Sequence, residues 1–158
     1  MKRGSRRRFI TVAGGLAVAA VLPATATAQM NRMPPNNMPE VIRRLVGTAK
    51  VNTGRVKLGV PPLVENGHLV PLTVTVESPM TEADHVKAVH IVNERNPQPQ
   101  VISVTLGPRA GRATLSTRIK LADSQQVVAV AEMSDGSFWS ESADVIVTLA
   151  ACVEDLVR

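Results

Sequence analysis

Cysteine is nearly absent from this 158-residue chain, in which Cys152 is the only one. A single thiol cannot close an internal disulfide, so in an oxidising compartment it is either free or bonded to another molecule. Aromatic residues are equally scarce: there is no Tyr, one Trp (Trp139) and two Phe (Phe9 and Phe138). The core must then be built from Val, Leu, Ile and Ala. No Gly-rich phosphate loop follows a strand, no serine sits in a nucleophile elbow, and no Cys–His pair has zinc spacing.

What is present begins with an export signal. Ser5-Arg6-Arg7-Arg8-Phe9-Ile10 reads as a twin-arginine motif with Arg6 and Arg7 as the recognised pair, and Ala26-Thr27-Ala28 as the small-residue cleavage site. The apolar run from Val12 to Leu22 is about eleven residues, short of the roughly 20 that a spanning helix needs. We therefore expect residues 1–28 to be a signal peptide, cleavage before Gln29, and a periplasmic protein free of the membrane after processing.

Cleavage also decides the charge. It removes Lys2, Arg3, Arg6, Arg7 and Arg8, five of the 18 basic residues, and leaves 13 against 13 acids. The whole-chain pI near 10.1 belongs to the export tag. Nucleic acid is accordingly not expected as a partner.

About 130 mature residues make one domain. Residues 29–37, "QMNRMPPNN", are polar and aperiodic and read as a flexible leader. In 38–47, Pro39 and Glu40 open a short helix, Val41, Ile42, Leu45 and Val46 fall at helical spacing, and Gly47 stops it. The rest reads as strands at Arg55 to Val60, Leu69 to Glu77, Val86 to Asn93, Val101 to Leu106, Arg112 to Leu121, Val127 to Met133 and Phe138 to Leu149. Apolar and polar residues mostly alternate in Leu72 to Glu77 and Arg112 to Lys120, so these strands face a core on one side and water on the other. Val127 to Ala131 is uniformly apolar and suits a central strand.

Turn signals separate the strands at Glu65 to His68, Asn96 to Pro99, Gly107-Pro108 with Gly111, and Ser134 to Ser137. About seven short strands with one helix predict an all-β, immunoglobulin-like antiparallel sandwich over residues 55–149. Residues 150–158 form a tail carrying the cysteine.

Candidate chemistry is sparse. His85 and His90 are five apart, an odd offset that separates them across a strand, and His68 lies in a turn. Met30, Met33 and Met38 offer soft sulfur of the kind copper(I) takes, but in a leader where Met is simply tolerated. Asp84 and Asp135 sit where turns favour Asp. No cofactor and no metal are expected, and the domain reads as a binder unless Cys152 is reactive.

The stretches "LVPLTVTVESPMTEADHVKAVHIVNERNPQPQV" and "GRATLSTRIKLADSQQVVAVAEMSDGSFW" closely resemble the SoxY family, the sulfur-carrier subunits of the bacterial thiosulfate-oxidising system. The resemblance covers roughly Val56 to Thr148, with "ESPMT", "STRI" and "VVAVAEMSDGS" as its most specific parts. It implies a carrier and not an enzyme, paired as a heterodimer with a SoxZ-type sandwich subunit. It also implies substrate attached covalently to Cys152, and transient visits to haem c and manganese-containing Sox enzymes.

One departure stands against that pattern. The family ends in Gly-Gly-Cys-Gly-Gly, whereas here Ala150, Ala151, Val153 and Glu154 flank Cys152 and Asp155 to Arg158 extend the chain. Glycine suits an arm because it lacks a Cβ, so the alanines and valine stiffen this one. The six residues after Cys152 could span roughly 20 Å if extended, which a dead-end active site would have to accommodate. Glu154 and Asp155 disfavour the thiolate and repel thiosulfate, an effect that salt screens. Leu149, Cys152, Val153 and Leu156 also fall on one helical face, which docked on an apolar surface would bury the thiol. The alternative implied is a SoxY-like form that binds a SoxZ-type partner without carrying sulfur.

Overall fold

The structure, a computed structural model, describes residues 36–149. The signal with Arg6 and Arg7, the leader up to residue 35, and the tail with Cys152 lie outside the described residues.

The fold opens with helix α1, Met38–Val46. Pro39 occupies the first turn, where its missing N–H costs nothing, and Glu40 pairs with Arg43 and, at 3.3 Å, with Arg44 one turn on. Gly47 ends the helix at φ +62°, and its N–H caps the Arg43 carbonyl at 2.8 Å. Only a residue tolerant of positive φ closes the turn this way without strain.

Nine strands follow: β1 Val51–Asn52, β2 Val56–Gly59, β3 Leu63–Asn66, β4 Val70–Val76, β5 Val86–Asn93, β6 Gln100–Thr105, β7 Ala113–Ile119, β8 Gln125–Met133 and β9 Phe138–Leu149. They form two sheets. The larger runs β1-β9-β8-β5-β6, with β3 also on β9, and the smaller runs β2-β4-β7.

Seven of the nine are the strands read from the sequence, with ends shifted by a residue or two. The other two, β1 and β3, differ from expectation in existence and in direction. Both pair parallel with the free edge of β9, β1 opposite Phe138 and Trp139 and β3 opposite Ile146 to Leu149. Between them the chain leaves the larger sheet and joins the smaller one as β2, antiparallel to β4. One short run of chain thus seals the sandwich along this side, covering edge groups that would otherwise face water unpaired.

The alternation read in β4 holds, with Val70, Leu72, Val74 and Val76 buried and Pro71 and Thr73 exposed. Its partner β7 carries Thr114, Ser116 and Arg118 on the same outer face. The middle of strand β8, Val127 to Ala131, is apolar because it is buried on both faces. Val127, Ala129, Ala131 and Met133 enter the core between the sheets, while Val128 and Val130 pack with Met38, Val92 and Phe138 beneath α1. A stretch of central strand covered on both sides favours apolar side chains at every position, so the sequence shows no alternation there.

Candidate functional site

The sequence directs attention to the exit of β9, the strand that leads to Cys152. The last four described residues of β9 are each tied to a neighbouring loop or strand. Ile146 N–H donates to the Pro62 carbonyl at 2.8 Å. Val147 donates to Ser124 Oγ at 2.9 Å, and that hydroxyl lies 3.3 Å from the Val147 carbonyl. Thr148 Oγ1 donates to the Glu65 carbonyl at 3.1 Å. The Leu149 carbonyl accepts from Gly67 N–H at 2.8 Å, and the Gly67 carbonyl in turn accepts from Leu121 N–H at 2.8 Å. The root of the tail is therefore held on both sides, by β3 with its following turn and by the β7–β8 loop.

That loop is itself braced. Gln125 is buried, and its Nε2 donates to Asn96 Oδ1 and to the Asp123 carbonyl, both at 3.0 Å, while its Oε1 accepts from Arg95 N–H at 2.8 Å. Asn96 Nδ2 donates to the Lys120 carbonyl at 2.8 Å, and its Oδ1 also accepts from Ala122 N–H at 2.9 Å. A buried amide must have its donors and acceptors matched, and here the matching locks the β5–β6 loop to the β7–β8 loop. Leu149 leaves the body from this cross-linked end.

Four exposed apolar side chains stand near the exit, among the exposed polar residues Glu65, Asn66 and Thr148. The exposed large hydrophobic residues among those described are Leu63, Leu69, Ile146 and Leu149, with 55%, 64%, 56% and 60% of their surfaces in water. All four are at this end. Leu63 and Ile146 are direct partners across the β3–β9 pair, as are Asn66 and Leu149, and Leu69 lies two residues past Gly67. Sequence reading missed this patch. The only signal was the unbroken apolar run Val145-Ile146-Val147, where an edge strand with one wet face would alternate.

The other candidate residues do not converge on this end as one centre. His68 N–H donates to Asn66 Oδ1 at 2.8 Å in the β3–β4 turn. His85 precedes β5 with Nδ1 3.0 Å from the Thr81 carbonyl, and His90 lies within β5 with Nδ1 2.8 Å from Ser103 Oγ. Burial, opposed by the charge of Glu132, lowers the pKa of His90. No group of three or more His, Cys, Asp or Glu able to hold a metal ion is found among the described residues. Asp84 and Asp135 are both in turns. Asp84 pairs with Arg55 at 3.7 Å, and Arg55 lies 5.0 Å over the Trp139 ring. Asp135 accepts from Ser137 N–H at 2.8 Å, and hydrogen bonds from Ser137 lower its pKa.

Fold and site together define a class: a small immunoglobulin-like β-sandwich, one face covered by a helix, whose last strand runs from a braced end into the cysteine-bearing tail. Residues 42–152 match the family model for sulfur oxidation protein SoxY. The chain belongs to the SoxY family. Among solved structures it is similar to the sulfur carrier protein SoxY from Chlorobium limicola f thiosulfatophilum, with a TM-score of 0.60 and 24% identity over 71% of this chain and 96% of that one. It is also similar to the superoxide reductase (neelaredoxin) from Ignicoccus hospitalis, with a TM-score of 0.55 and 15% identity over 61% of this chain and 94% of that one. A third likeness is to the superoxide reductase from Nanoarchaeum equitans, with a TM-score of 0.52 and 12% identity over 61% of this chain and 100% of that one. At such identities these structures share a fold with this chain and establish nothing about its chemistry. No curated protein sequence matches it significantly.

Proposed function

We propose that this protein is a periplasmic carrier that holds thiosulfate-derived sulfur covalently on Cys152, pairs with a SoxZ-type sandwich subunit, and presents the sulfur to the enzymes of the Sox system. The observation that carries this reading is the extent of the family match. It spans residues 42–152, from within α1 through β9, and ends on Cys152, the only thiol of the chain.

The carrier itself performs no catalysis. In loading, the Cys152 thiol and the outer sulfur of thiosulfate join in a new S–S bond. One proton leaves to solvent and two electrons pass to the haem c enzyme. Later enzymes act on the attached group while the sandwich supplies docking surface. Export by the twin-arginine route through Arg6 and Arg7 belongs to the same reading, since that route accepts a complex already folded.

Mass spectrometry of the periplasmic protein after growth on thiosulfate tests it. Sulfur adducts on Cys152 are the expected result, and loss of thiosulfate oxidation in Cys152→Ser is the genetic counterpart. Free thiol alone, with Cys152→Ser still oxidising thiosulfate and still binding its partner, overturns the carrier role. The specific feature favouring that second reading is the ending "AACVEDLVR", which lacks every glycine of the family arm and sets Glu154 and Asp155 beside the sulfur.

A further inference from the structure

Strand β6 is an edge of the larger sheet: β5 pairs with one side of it, and no strand among the described residues pairs with the other. Leu106 N–H donates to the Lys87 carbonyl and Asn93 N–H to the Pro99 carbonyl, both at 2.8 Å. Bonding residues alternate in an antiparallel pair, so between these points Ile102 and Val104 face β5, while Ser103 and Thr105 turn their N–H and C=O groups outward. The strand, Gln100 to Thr105, contains no charge and no proline. Such an edge is a template for strand addition unless something covers it. The edge strands of the smaller sheet each carry a charge instead, Arg118 in β7 and Lys57 in β2.

We infer that the segment Gln29 to Pro35, which precedes α1, folds back along β6 as an added antiparallel strand and closes this edge. The segment ends beside it. Asn36 N–H donates to the Glu94 carbonyl at 2.6 Å and Asn36 Nδ2 to the Asn96 carbonyl at 2.8 Å, both in the loop that leads into β6. From that anchor the chain runs upstream toward Thr105, which sets the antiparallel direction. Its length matches too. Cleavage before Gln29 leaves seven residues ahead of Asn36, and at about 3.3 Å each they reach roughly 23 Å, against about 20 Å for the six residues of β6.

The edge also offers apolar surface on both faces. A cleft of about 490 Å³ opens between α1 and β6, with Val41, Arg44, Val101 and Ile102 in its walls. Val41 belongs to the apolar cluster under α1, whereas Val101 and Ile102 pack on the core between the sheets. Residues three apart in a strand point to opposite faces, so Met30 and Met33 meet one of these surfaces each. Pro34 and Pro35, which have no N–H to donate, fall at the anchored end of an edge strand, where proline is tolerated.

The test is backbone amide exchange, read by NMR on the exported and processed protein. Wild type is compared with a form lacking residues 29–35, Ala28 being joined to Asn36, and with Asn31→Pro/Arg32→Pro, which keeps the segment but removes a donor from each alternation. We expect the Ser103 and Thr105 amides to exchange at least about tenfold faster in both variants than in the wild type, with Ile102 and Val104 unchanged. Nuclear Overhauser contacts between residues 30–33 and 101–105 should accompany the wild-type protection. The proline variant carries the test alone if the shortened chain is not exported.

Fast exchange of Ser103 and Thr105 in all three forms means an open edge and overturns the closure. Slow exchange in all three overturns it as well, because the cover is then another chain; sedimentation tells a second copy from a partner subunit. Closure of this edge does not involve Cys152, so the carrier reading is untouched by either outcome.

Discussion

His90 shows how one residue couples burial to pH. It projects from β5 beside Ser103, whose hydroxyl also accepts from Gln100 Nε2 at 2.6 Å. The same hydroxyl lies within hydrogen-bond distance of His90 Nδ1 and can donate its proton to the neutral ring. Burial acts in the same direction and lowers the pKa below the ordinary value of 6.5. The folded protein thus prefers neutral His90, and the unfolded chain takes up a proton first as pH falls. The contribution of His90 to stability is whole above pH 6.5 and is lost as pH falls from there through the lowered folded value. Urea midpoints measured between about pH 5 and pH 7.5 should fall toward acid in the wild type, and His90→Gln should flatten that slope. An unchanged slope would show that the histidine titrates alike in both states.

At the scale of elements, α1 answers a need created by β8. A strand apolar on both faces requires two covers; the smaller sheet provides one, and a nine-residue helix provides the other. Nine residues are too few to hold a helix alone, so α1 exists because Val41, Ile42 and Leu45 find Val128, Val130 and Phe138 beneath them. Introducing charge into that contact with Ile42→Asp or Leu45→Asp should cost about 1–3 kcal/mol in urea unfolding. Arg43→Ala, on the exposed side, should change little. Helix α1 and the seven principal strands were legible because each has a period: 3.6 for the helix, two for β4 and β7, and an unbroken apolar run for β8. Strands β1 and β3 were not. Two and four residues long, they have no period of their own and are strands only because the β9 edge lies beside them. Glu65 to His68 accordingly reads as a turn signal, whereas Glu65 and Asn66 still belong to β3 and the turn itself falls on Gly67 and His68. The same blindness hid the apolar patch, since an outward Leu63 is recognised only once β3 is known to exist. Cys152, by contrast, was legible as the one residue of its kind.

Over the whole molecule, rigidity is arranged toward one end. The loops after β3, β5 and β7 are cross-linked by Gln125, Asn96, Ser124 and Gly67, and the final strand is anchored residue by residue up to Leu149. Such a body fixes where the tail starts and contributes no freedom of its own to the sulfur. On the carrier reading proposed above, delivery of Cys152 depends on the three peptide units after Leu149, and here alanine stands in place of glycine at both residues before the thiol. Each Gly→Ala change narrows the backbone conformations open to the arm, and Glu154 adds a charge that opposes an anionic substrate. Replacing residues 150–158 with Gly-Gly-Cys-Gly-Gly, in a strain lacking the native protein, should raise the rate of thiosulfate-dependent oxygen uptake, with urea stability of the sandwich unchanged. Equal rates would mean that arm stiffness does not limit turnover and that docking or chemistry does. Uptake only with the glycine ending would mean that the native tail no longer delivers its cysteine, leaving a sandwich that keeps the partner surface of a carrier without the carrier's reaction.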